Sequence, residues 1–119
     1  MLVHQQPLNR LRILQINLNK SNKGHLDLIN KPLSKDWDII LIQEPHITKM
    51  GLIRTPKKYT IVYPPDRYKD GADPVRSVIM VNTQLTSSSW RAINIRGNND
   101  ITAIQISNGQ KQLTIFNIY

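Results

Sequence analysis

The chain contains no cysteine and a single glutamate, and its aromatic side chains are limited to one Phe, two Trp and four Tyr. Without Cys there are no disulfide partners, thiolate metal sites or cysteine nucleophiles, a composition that fits an intracellular protein. With so few large rings, the core must come mainly from Ile, Leu and Val within a hydrophobic fraction of 39%. No apolar run approaches the roughly 18 residues that would cross a bilayer, and the N-terminus lacks a signal-peptide core, so no membrane partner is expected. Acidic groups are scarce as well: eight Asp and Glu stand against 16 Lys and Arg, a formal net charge of +8. That balance attracts a polyanion over long range, most simply nucleic acid, and says nothing about fold. A basic protein without such a partner is the plainer alternative. The length, 119 residues, suffices for one small domain with its own core.

Residues 1–10 read as an irregular lead-in, and 11–119 as the domain. Leu11 to Leu18 alternates loosely and predicts a first strand. Ser21 or Asn22 is a candidate helix N-cap, and Leu26, Ile29 and Leu33, with Leu28 beside them, predict a short helix that Pro32 should end early. Ile39-Ile40-Leu41-Ile42, between Asp38 and Pro45, describes a strand buried on both faces. A basic loop follows over 45–58, then a strand over 59–63 stopped by Pro64-Pro65, a charged loop over 66–74, and a buried strand over 77–82. Residues 90–96 are expected to alternate outward Arg with inward Ile, and 101–106 outward Thr with inward Ile. Asn108-Gly109 is a hairpin signal joining 101–106 to 111–118. A strand–helix–strand opening followed by antiparallel hairpins predicts an α/β or α+β layered fold with a mixed sheet and one early helix.

Polar groups gather at the expected strand ends. Glu44, the only glutamate, closes the second expected strand, 38–43. A carboxylate is costly to desolvate unless paired, hydrogen-bonded or bound to a cation, so Glu44 is either a site residue or just outside the core. Asn17 and Asn19 close the first strand. A βαβ crossover makes the two strands parallel and brings these ends together. Oxygen donors of this kind suit a hard cation such as Mg²⁺, which stabilises charge on a phosphate oxygen; turn and cap roles with a solvated Glu44 are the alternative. The chain closes on Phe116-Asn117-Ile118-Tyr119, an apolar strand expected to be buried and to run to the final residue, as in a truncated domain.

Ile13-Leu14-Gln15-Ile16-Asn17-Leu18-Asn19-Lys20-Ser21, Asp38-Ile39-Ile40-Leu41-Ile42-Gln43-Glu44-Pro45-His46 and Ile115-Phe116-Asn117-Ile118-Tyr119 together resemble the endonuclease/exonuclease/phosphatase superfamily of DNase-I-like fold. Within it, the chain is most similar to the apurinic-type endonuclease domains of non-LTR retrotransposons, over about residues 11–119. The resemblance implies the N-terminal half of a two-layer α/β sandwich that cleaves DNA phosphodiesters with Mg²⁺ or Mn²⁺. It implies a metal-ligand role for Glu44, a metal–phosphate role for Asn17, a place near the metal for Asn19, and a phosphate-binding role for Tyr119. Asn117 is read as structural and His46 as a loop residue. Lys20, Lys49, Lys57 and Lys58 are candidate contacts to the DNA backbone, where cations give affinity with little sequence readout; a solvated basic face reads equally well for each. A reverse-transcriptase region is implied in the full-length relative.

The family's later segments, which carry the water-positioning Asp and the general-base His, have no counterpart here. Base-assisted water attack contributes about 10²–10⁴-fold, so the chain alone is expected to bind metal weakly and to lack useful nuclease activity. The missing half is also expected to supply the second sheet, leaving the inner Ile and Leu face exposed. Two readings stay open: a fragment of a hydrolase active only when completed, or a non-catalytic basic nucleic-acid-binding remnant of a degenerate gene.

Overall fold

Runs of branched aliphatics place two strands at the centre. In the computed structural model, which describes residues 10–69 and 71–119, the described residues form seven strands in two sheets. The first sheet holds β1 (Ile13–Asn17), β2 (Ile39–Gln43), β3 (Tyr59–Val62) and β4 (Ser77–Asn82) in the order β1-β2-β4-β3. β1 and β2 are parallel, while β4 runs antiparallel to both β2 and β3, so the sheet is mixed. The second sheet is an antiparallel meander of β5 (Trp90–Ile93), β6 (Ile101–Asn108) and β7 (Lys111–Ile118). All but Arg10 of the expected lead-in lies outside the described residues.

The helix α1 (Asn22–Ile29) forms the crossover between β1 and β2. Ser21 is its N-cap, accepting from the Gly24 N–H at 3.0 Å, and the helix stops at Asn30, ahead of Pro32. Of the expected helix face Leu28 is buried, while Leu26 and Ile29 are only half-buried and His25 takes the other buried place. The His25 Nε2 donates to the Arg54 carbonyl at 2.7 Å, and that bond to the 45–58 loop turns the imidazole inward. Leu33 remains in the core, carried on a short 3₁₀ turn after Pro32.

Every residue of β2 and β4 is buried, because the first sheet is covered on both faces. Ile40, Ile42, Val78 and Met80 pack with Leu18, Leu28, Leu33 and Ile53 on the helix side. Ile39, Leu41, Ile79 and Val81 pack with Ile104 and Ile106 of the second sheet. Each such side chain contributes about 1.5–3 kcal/mol over leaving it in water. The second sheet therefore comes from this chain itself, and the inner aliphatic face is not exposed as the sequence suggested. Open apolar surface lies instead on the outer side of β7, where Phe116 is 53% and Ile118 61% exposed, and at Ile13 on the β1 edge. The final strand is correspondingly half-exposed instead of buried.

Two further expectations shift in the second sheet. β5 ends at Ile93, and its inward residue is Trp90, which packs with Ile104 and Ile106; Arg91 and Ile93 share the other parity of the strand. Thr102 points inward with Ile104 and Ile106, its hydroxyl 2.7 Å from the Ser77 Oγ. In the β6–β7 hairpin Asn108 pairs with Lys111, so the loop is Gly109-Gln110. Gly109 takes φ +60°, which the first position of a type II′ turn requires.

Asp38, just before β2, is buried and takes three donations from Arg12: the backbone N–H at 2.9 Å, Nε at 3.2 Å and Nη2 at 2.9 Å. This pairing ties the entry of β1 to the entry of β2. Beside it the Tyr59 hydroxyl donates to the Trp37 carbonyl at 2.7 Å, and burial, reinforced by Asp38, pushes its pKa up to about 12.

Candidate active site

One rim of the layered structure collects strand ends from both sheets. The register Asn17↔Gln43 and Gln43↔Ser77 aligns the C-terminal ends of β1 and β2 with the start of β4. Ile101↔Ile118 brings the end of β7 beside the start of β6, and the Tyr119 N–H donates to the Asp100 carbonyl at 2.9 Å. Buried polar groups lock the two sheets together here. The Asn117 Nδ2 donates to the carbonyls of Ile42 at 2.9 Å and Val78 at 2.8 Å, while its Oδ1 accepts from the Gln43 Nε2. The Ser77 Oγ donates to the Asn117 carbonyl at 2.7 Å. Asn117 thus bridges the sheets directly beneath the rim, in keeping with its structural reading.

Glu44 sits half-buried on this rim at φ +50°, a left-handed conformation that costs a non-glycine residue about 1–2 kcal/mol. Two backbone hydrogen bonds hold it there. Its N–H donates to the Arg76 carbonyl at 2.9 Å, and its carbonyl accepts from the Lys20 N–H at 2.8 Å. The Tyr119 hydroxyl donates to the Glu44 Oε1 at 3.1 Å, joining residues 75 positions apart. The Tyr119 ring lies against the Arg76 guanidinium, 4.9 Å from the ring centroid. Arg76 is itself fixed by Asp100, with Nε donating at 2.7 Å and Nη2 at 3.2 Å, and that pairing holds its pKa above the usual arginine value. Nothing in the spacing of Arg76 and Asp100 pointed to this support, because the pair forms only when the two sheets meet.

Asn17 is the last residue of β1, in register with Gln43 and on the same strand face as Gln15, whose Nε2 donates to the Gln43 Oε1 at 3.2 Å. The Asn17 Oδ1 accepts from the Asn19 N–H at 2.8 Å. Asn19 and Lys20, at φ +51° and +60°, form a turn past the strand end, so strand alternation does not carry from Asn17 to Asn19. His46 stands at the start of the loop after Glu44, with Nδ1 3.4 Å from the Lys20 carbonyl in the turn past β1.

The structure brings Asn17, Glu44 and Tyr119 to one rim, with Asn19 and Lys20 in the adjoining turn. Lys49 is exposed in the Thr48–Gly51 turn of the loop that leaves Glu44. Lys57 and Lys58 are elsewhere: they precede β3, and the Lys58 carbonyl accepts from the Thr83 N–H at the far end of the sheet. Among the described residues no group of three His, Asp or Glu side chains could hold a metal ion by itself. The oxygen donors available at the rim are the Glu44 carboxylate and the Asn17 and Asn19 amides. Their chemistry fits a hard cation such as Mg²⁺, which keeps several waters and needs only one or two carboxylates from protein. Among the described residues no helix is long and apolar enough to cross a membrane.

No family model matches the chain, and no curated protein matches it. Among solved structures it is similar to the endonuclease domain of TRAS1, a telomere-specific non-LTR retrotransposon, with a TM-score of 0.61 at 20% identity over 92% of this chain. The chain spans 45% of that domain's length. It therefore has a retrotransposon endonuclease-like fold, a partial DNase-I-like α/β architecture with a mixed sheet and one crossover helix.

Proposed function

We propose that this chain is the N-terminal part of a divalent-metal-dependent DNA endonuclease domain of retrotransposon type, with Glu44 at its reaction centre. The observation that carries the reading is the Tyr119 hydroxyl on the Glu44 carboxylate at 3.1 Å, at a rim shared with the end of β1. A glutamate kept in a left-handed conformation and met there by a phenol from the other sheet is an arrangement the fold maintains at a cost.

Glu44 and Asn17 would hold Mg²⁺ or Mn²⁺, with Asn19 close by in the turn. When bound, such a cation stabilises negative charge developing on a phosphate oxygen. With a cation on Glu44, the Tyr119 hydroxyl would turn its one proton from that carboxylate to the same phosphate, and the Arg76–Asp100 pair fixes the ring from which it reaches. Lys20 and Lys49 add positive charge along the path of the DNA backbone. Lys57 and Lys58, at the opposite end, serve only a long or wrapped substrate.

Beside Glu44 the Asp100 carboxylate is committed to Arg76, and the His46 Nδ1 lies 3.4 Å from the Lys20 carbonyl. On this reading the chain supplies one wall of a site, and cleavage requires residues beyond those it has.

The test is supercoiled-plasmid nicking in Mg²⁺ by this chain joined after Tyr119 to the remaining part of the TRAS1 domain, with Glu44→Ala as control. The chimera should nick, its Glu44→Ala form should not, and the 119-residue chain alone should leave the plasmid intact. Equal nicking by both chimeras would refute a role for Glu44. A folded chimera that binds DNA without nicking would favour a non-catalytic binding fragment.

A further inference from the structure

The loop that follows β3 rises from the same rim as Glu44. Val62↔Ile79 in an antiparallel pair places the end of β3 level with the start of β4, and Ser77 at that start faces Gln43. In the order β1-β2-β4-β3 the end of β3 is two strands from β2, about 10 Å at the usual strand spacing. This loop carries a layered stack. The Arg67 guanidinium lies 4.0 Å from the Tyr63 ring centroid and 4.4 Å from that of Tyr68, so it is held between two rings. Its Nη2 donates to the Tyr68 hydroxyl at 3.3 Å, and its Nε is enclosed without a hydrogen-bond partner. Tyr63 is anchored in turn, since its hydroxyl accepts from the Ile53 N–H at 3.1 Å.

The outermost ring is fixed yet open. A side-chain carbon on Gly51 would stand 3.0 Å from the Tyr68 Cε1 and 3.8 and 3.9 Å from the two flanking ring carbons. Those distances describe an approach in the ring plane, so Gly51 stands at the edge of Tyr68 and not over its face. Tyr68 is 64% exposed, and the neighbouring Met50 is 79% exposed. Lys69 follows Tyr68 in sequence and Lys49 precedes Met50 and Gly51, both lysines exposed, in a chain of net charge +8. A rigid aromatic face backed by a cation and flanked by lysines matches one kind of ligand well: a nucleobase with a free π-face, on a strand whose phosphates meet the lysines.

We propose that Tyr68 is a stacking platform for an unpaired nucleobase of the DNA strand that crosses the Glu44 rim, with Lys49 and Lys69 on the adjacent phosphates. This rests on the reading of that rim as a DNA site and adds the form of DNA it takes. Bases within an intact duplex have both faces occupied by their neighbours, so the platform selects a single-stranded, mismatched or flipped position beside the reacting phosphate. Arg67 acts as a positioning residue, holding the Tyr68 ring at a fixed angle to the rim.

The test compares the full chain with Tyr68→Ala and Tyr68→Trp. Each is titrated with a single-stranded oligonucleotide containing 2-aminopurine and with an abasic strand of equal length and phosphate count. Wild type and Tyr68→Trp should quench 2-aminopurine and prefer the base-bearing strand. Tyr68→Ala should lose the quenching and about 5- to 150-fold of affinity for that strand, the value of one base–aromatic stack. All three should bind the abasic strand alike. An unchanged preference in Tyr68→Ala, an equal loss on both strands, or a wild-type chain that binds neither strand would overturn the proposal. Nicking, which reads Glu44, is a separate measurement, so loss of the Glu44 reading leaves the base-dependent ratio standing.

Discussion

Replacing Asn117 by Asp changes one atom of a side chain that joins both sheets beneath Glu44. The amide makes three side-chain hydrogen bonds, donating to the Ile42 and Val78 carbonyls and accepting from the Gln43 Nε2. Asn117 is only 1% exposed, so water cannot replace them. At about 1 kcal/mol net per hydrogen bond, loss of all three in Asn117→Ala costs about 3 kcal/mol. Asn117→Asp keeps the shape but turns a carboxylate oxygen toward two carbonyls and buries an unpaired charge, so its cost should equal or exceed that of alanine. Either loss is a large share of the 5–15 kcal/mol typical of a domain. Urea unfolding at neutral pH, followed by the fluorescence of Trp37 and Trp90, measures both variants. If packing alone mattered, the near-isosteric aspartate would be the milder change. Asn117→Asp within about 0.5 kcal/mol of wild type, the range of an inert surface substitution, would refute the hydrogen-bonded pin.

Three further outcomes are expected. Burial holds the His25 pKa below its ordinary value, and Nδ1 has no partner, so the unfolded chain takes up the proton first. Stability present above about pH 6.5 should fall as the pH drops through the unfolded value towards the lower folded one; a His25→Gln form showing the same pH 7 to pH 5.5 slope would contradict this. Ile104→Ala, in the core between the sheets, should cost about 2–5 kcal/mol in the same urea assay, and a near-neutral result would mean the second sheet is not docked. Phe116→Ser with Ile118→Ser should leave the unfolding midpoint nearly unchanged while reducing self-association in analytical ultracentrifugation. An unchanged sedimentation profile in a wild type that associates would remove the outer face of β7 as the cause.

The sequence made local features legible and long-range ones obscure. β2 and β4 could be read because four or more consecutive aliphatics have few alternatives to a doubly buried strand. The hairpin was announced by Asn108-Gly109, although pairing moved the turn by one residue. The crossover that aligns Asn17 with the end of β2 followed from a strand–helix–strand order. What did not show was anything created by the meeting of the two sheets. Arg76 and Asp100 are 24 positions apart, and Asn117 reaches 75 positions back to Ile42. Thr102 reads as an outward residue in the sequence because a hydroxyl does so until a buried partner such as Ser77 is known. The burial of His25 has no sequence signal for the same reason, since its Arg54 carbonyl lies in a loop without periodicity.

The proposed function needs a cation on Glu44, at a rim built from both sheets. Mn²⁺ titration of the chain, read by disappearance of the free-ion electron paramagnetic resonance signal, measures this without any need for cleavage. Weak, saturable binding by the wild-type chain, abolished in Glu44→Gln while the urea midpoint stays in place, is the expected result. Equal Mn²⁺ binding by the wild-type and Glu44→Gln chains would contradict it.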